Sequence, residues 1–112
     1  MRADVQALTS PARQLRTEEI EIEGVGSILV SGLNRLDALR VQNEKDPFVA
    51  DRLMLVGGVI EPQITEETAK AWQRRADAGE IERITRRIFA LSGMEDLAPK
   101  EAYKSVRDGS DA

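Results

Sequence analysis

The chain has 112 residues, a formal net charge of −4 and 41% hydrophobic residues, which bounds it to one globular domain with a modest core. It contains no Cys and no His, so disulfides, thiolate chemistry, zinc sites built on those ligands and histidine general bases are all excluded. The acidic balance opposes nonspecific DNA binding, which depends on Lys and Arg neutralising phosphates.

Four aromatic residues, Phe48, Trp72, Phe89 and Tyr103, leave the core mainly aliphatic. No apolar run reaches the roughly 20 residues that a bilayer crossing needs. The opening MRADVQALTSPARQLR has no apolar signal-peptide centre, so the expectation is a cytoplasmic protein with no membrane partner.

Residues 1–17 read as an N-terminal arm or short helix, with Ser10-Pro11 as a plausible helix start. Glu19-Ile20-Glu21-Ile22-Glu23 alternates with the period of a half-buried strand. Gly24-Val25-Gly26 marks a turn and Ser27-Ile28-Leu29-Val30-Ser31 a returning strand, giving a β-hairpin near 18–31. A lone hairpin is marginal in water, so its Ile face must lie on the helices or pair with another chain. The three glutamates could in principle bind a metal. A solvated strand face that discourages edge-to-edge pairing explains them better, because no second set of ligands accompanies them.

Asn34 caps a short helix in which Leu36 and Leu39 point one way. Asp46-Pro47 restarts a helix over 47–56, apolar nearly all round and therefore buried. Gly57-Gly58 breaks the pattern before Val59-Ile60-Glu61-Pro62. Thr65 caps the next helix, with Ala69, Trp72 and Ala76 on one face. Asp77 and Glu80 form a D-x-x-E start of the capping-box kind for another, striped by Ile81, Ile84, Ile88 and Leu91 and stopped by Gly93. These two make a central helical hairpin over 65–92. Its cations, Lys70, Arg74, Arg75, Arg83, Arg86 and Arg87, are interspersed with acids, and Arg83, Arg86 and Arg87 lie opposite the Ile stripe. A solvated face accounts for them better than a nucleic-acid patch. A last helix is expected from Pro99, with Tyr103 and Val106 on one face, inside a domain of 18–106. Residues 107–112 are expected to form a disordered tail. The fold class is mainly α, four to five helices with an N-terminal β-hairpin.

Several pieces fall in a recognisable order. They are Glu19-Ile20-Glu21-Ile22, the apolar run Leu53 to Val56, Ile60-Glu61-Pro62, the Thr65-capped helix with Trp72, Ala78-Gly79-Glu80-Ile81, Leu91-Ser92-Gly93 and Pro99-Lys100-Glu101-Ala102. In that order and spacing the chain resembles the tail assembly chaperones of long-tailed (siphovirus-type) bacteriophages and prophages. The resemblance implies a small, largely helical, non-catalytic protein that binds the tape-measure protein and keeps it soluble. Such a chaperone gives way as tail-tube protein polymerises, and is absent from the mature virion. The family often adds a longer frameshifted product. The Gly57-Gly58 pair departs from the more continuous helix the family leads one to expect.

No residue is singled out as catalytic, cofactor-binding or metal-ligating. The groove between 47–60 and the helical hairpin is the expected partner surface, with Phe48, Leu55, Val59, Trp72 and Phe89 as its candidates, since aromatics are favoured binding anchors. Phe89, at the edge of its apolar face, could either complete the core or anchor a partner. Self-association is a further possibility. The alternatives are a head–tail connector component, a DNA-binding regulator drawing on the basic cluster, and, least supported, a carboxylate-based enzyme.

Overall fold

The computed structural model describes residues 2–94. The expected helix from Pro99, with Tyr103 and Val106, and the tail 107–112 lie outside them. Eight elements follow in order: α1 (Val5–Thr9), β1 (Thr17–Ile22), β2 (Gly26–Ser31), α2 (Arg35–Asn43), α3 (Pro47–Gly58), β3 (Val59–Glu61), α4 (Glu66–Arg75) and α5 (Ala78–Leu91).

The hairpin forms as its alternation predicts. β1 and β2 are antiparallel, from Thr17 opposite Ser31 to Ile22 opposite Gly26. The Val25 amide donates to the Ile22 carbonyl at 3.0 Å, and Gly24 takes φ 78°, a turn geometry that favours glycine. Ile20, Ile22, Ile28 and Val30 share the inward face, which the helices cover. The sheet has a third strand that the sequence reading lacks: β3 pairs antiparallel with the other edge of β2, Val59 opposite Val30 and Glu61 opposite Leu29. The protein is thus mixed α/β rather than mainly α with a hairpin. The cause is local. The apolar stretch from Leu53 to Ile60 is shared by a helix and a strand, and only burial of Val59 beside Val30 separates them.

α3 is the centre of packing, in contact with α2, α4, α5 and β3. Gly57 and Gly58 do not break it; they form its last turn. A Cβ on Gly58 would stand 2.5 Å from the Ile88 Cδ1, so the missing side chain is what lets α5 approach. α3 is not buried all round: Met54, Leu55 and Gly58 are inside, while Phe48 and Val56 face solvent. In α2 the buried pair is Ala38 and Val41; Leu36, about 200° round the helix from Ala38, points outward.

α4 and α5 occupy the predicted 65–92, but each packs on α3 more than on the other. Their connection explains this. Ala76 and Asp77 are both extended, so the chain turns a corner and both apolar stripes face inward. The caps at Asn34, Asp46 and Thr65 form as expected, accepting from the amides of Asp37, Phe48 and Thr68 at 2.8, 2.9 and 3.1 Å. α1 differs from expectation. It is capped by Asp4 and ends where Ser10-Pro11 was expected to begin a helix.

The Leu91-Ser92-Gly93 step closes the fold. Gly93 has φ 80°, and the Met94 and Gly93 amides return to Phe89 and Ala90 carbonyls, a Schellman stop. Ser92 Oγ accepts from the Leu33 amide at 2.7 Å and donates to the Ile88 carbonyl at 2.6 Å. Arg16 Nε donates to the Leu91 carbonyl at 3.2 Å. The end of α5 is therefore tied to the start of β1 and to the β2–α2 connection.

Candidate partner-binding surface

α4 carries Trp72 on the same face as the fully buried Ala69, which brings the indole to the corner between α4 and α5. Its Nε1 donates to Glu80 Oε2 at 2.8 Å. Glu80 is thereby taken from the capping box expected for it, and Asp77 makes no side-chain cap bond either. With its polar edge satisfied, the half-buried indole packs against the core and leaves part of its apolar surface beside an opening. A cavity of about 340 Å³ opens beside it, lined by Ile22, Val25 and Ile28 of the β-hairpin, by Ile64, and by Trp72 and Ala76. Val59 and Pro62 complete the apolar lining; Arg75 and Glu80 supply its charge.

The five candidate residues separate. Trp72 and Val59 border this groove, but Val59 is only 2% exposed and serves as its floor. Leu55 is 0% exposed and belongs to the core, so it offers nothing to a partner. The apolar pattern of 47–56 could not separate it from its exposed neighbours, because every position there is greasy. Phe89 is partly buried and packs against the core. Phe48 is 69% exposed and lies in a different hollow, with Asp51, Gln73 and Thr85. The apolar groove is thus formed by the hairpin tip, Val59 and the α4–α5 corner, while the surface between 47–60 and the helical hairpin carries the separate hollow at Phe48. Val25, 78% exposed, was missed. Its signal was a valine between two glycines, where a turn ordinarily carries a polar residue.

The basic cluster is partly neutralised. Arg86 Nη2 meets Glu82 Oε1 at 2.6 Å. Arg87, expected to face solvent, reaches β1 and holds Glu18 by two hydrogen bonds of 3.0 and 2.6 Å. Those bonds hold the Glu18 carboxyl below its usual range against a smaller opposing effect of burial, with the Arg87 charge adding to the lowering. Asp51 is displaced the other way: burial raises its carboxyl. No group of three or more Asp or Glu placed to hold a metal ion occurs among the described residues, and no helix among them is long and apolar enough to cross a membrane. The groove thus presents apolar side chains, with Arg75 and Glu80 as its charged members.

Comparison with known protein families, with curated proteins and with solved structures returned no match.

Proposed function

We propose that this protein is a tail assembly chaperone of a long-tailed phage or prophage, a non-catalytic binder that keeps the tape-measure protein soluble while the tail tube assembles. The observation that carries the reading is the open apolar groove at Trp72. A hydrophobic hollow of that kind, lined by aliphatics with one satisfied indole, suits the apolar stripe of a helical client. The ordered resemblance from Glu19 to Ala102 supplies the identity of that client. Exposed Val25 and Phe48 beside charged surfaces suit contacts that form and release, as a displaced chaperone requires. Action in the host cytoplasm and absence from finished particles follow from the same reading.

Co-expression with the neighbouring tape-measure protein tests it. The client should remain in the soluble fraction with this chain and precipitate without it. Equal solubility in both cases would end the chaperone reading. Mass spectrometry of purified particles separates it from a connector component, which would be found there.

A further inference from the structure

The hollow at Phe48 has a character of its own. It measures about 250 Å³ and lies between the first turns of α3, the last turn of α4 and the first half of α5. Ala78 and Ile81 give it an apolar side, and the exposed ring of Phe48 one wall.

Its polar groups are engaged, with one exception. Gln73 uses both ends of its amide: Oε1 accepts from Arg52 Nε at 3.0 Å, and Nε2 donates to the Phe48 carbonyl at 2.9 Å. Thr85 Oγ1 donates to the Glu82 carbonyl at 3.1 Å, and the Glu82 carboxylate is held by Arg86. Arg52, the nearest cation in sequence, is directed to Gln73 and Glu66. Asp51 has no hydrogen-bond or ion-pair partner among the described residues. Its raised carboxyl reflects burial with no cation opposing it. The Asp51 oxygens still reach solvent, but partial burial with no cation opposite them leaves the charge poorly compensated, and a phenyl ring left mostly in water gains little from folding. Together they present an aromatic face beside an uncompensated negative charge.

We propose that this hollow receives a lysine or arginine side chain from a helical protein partner, its aliphatic stem on Phe48 and its cationic head on Asp51. Charge decides the occupant. The lining holds two carboxylates and no cation, so an anion is repelled. A single unpaired carboxylate is too few oxygens for a divalent ion, which takes about six. An amphipathic cation satisfies both features at once, because its stem covers apolar surface while its head finds the carboxylate. The inference rests on the chaperone reading for the client's name and its helical form; the cationic side chain is argued from the hollow alone. To that reading it adds a recognition feature, a basic residue beside the client's apolar stripe.

The test uses the full-length protein and two synthetic amphipathic helical peptides, identical except for Lys or Gln at one position flanking the apolar stripe. Amide shifts in two-dimensional NMR locate binding, and the titration gives affinity. The lysine peptide should perturb Phe48, Asp51 and Ala78 and bind about fivefold more tightly, the scale of one partly exposed cation contact. Asp51→Asn should fold normally and erase the difference, and Phe48→Ala should weaken both peptides. Equal affinities, a preference that survives Asp51→Asn, or shifts confined to other surfaces would each overturn the proposal. Loss of client solubilisation with the lysine preference intact would sink the chaperone reading and leave this site standing. The reverse pattern would sink the site alone.

Discussion

Asp51 and Glu18 are both carboxylates at the edge of the core, and their surroundings push them in opposite directions. Asp51 is raised by burial, so the folded chain disfavours its ionised form. That penalty is full above the folded value and is relieved as pH falls through it. Asp51→Asn should therefore raise the melting temperature at neutral pH by about 2 °C or less, with the gain vanishing in acid; thermal scans across pH check this. Glu18 is lowered by the Arg87 hydrogen bonds, so its contribution is present above the unfolded value and is lost as pH falls through the folded one. Both partners are more than a third exposed, so Arg87→Ala should cost less than about 1 kcal/mol and flatten the acid limb of stability. A double-mutant cycle with Glu18→Gln measures the coupling. Neither residue could be assigned from sequence. Glu18 and Arg87 are 69 positions apart, and Asp51 looks like any helical surface acid until its neighbours are placed.

At the level of elements, local signals were legible where the chain answers to itself. The Glu-Ile alternation, the Asn34, Asp46 and Thr65 caps, the Ile stripe of α5 and the Gly93 stop are all patterns written within a few residues of sequence, and all formed. What needed tertiary information was misread. β3 is three residues long and exists because β2 offers an edge. Asp77 and Glu80 have a capping spacing, but Trp72 captures Glu80. The two glycines ending α3 resemble a helix break, although Gly58 is required by the approach of Ile88. Gly58→Ala should lose about 1–3 kcal/mol in chemical denaturation despite its better helix propensity, because Ile88 is fully buried and cannot give way freely.

At the scale of the molecule, the sheet, α3 and the α4–α5 corner border two hollows that are chemically unlike. One, at Trp72, is mainly apolar; the other, at Phe48 and Asp51, joins an aromatic ring to an unpaired charge. Trp72 and Phe48 stood out as rare aromatics, and each borders a hollow, while Leu55 and Val59 were indistinguishable from the other aliphatics of their stretch and are interior. Leu55→Ala should act on stability, by about 2–5 kcal/mol. Val25→Ser at the exposed hairpin tip should leave stability within about 0.5 kcal/mol and weaken client binding; denaturation and pull-down with the tape-measure protein separate the two effects.

The chaperone reading meets its most direct test in the solubility of the tape-measure protein expressed with this chain, with its Val25→Ser variant, and alone. Soluble client with the wild type, less with the variant and aggregate without either is the expected result. A client equally soluble under all three conditions would contradict it.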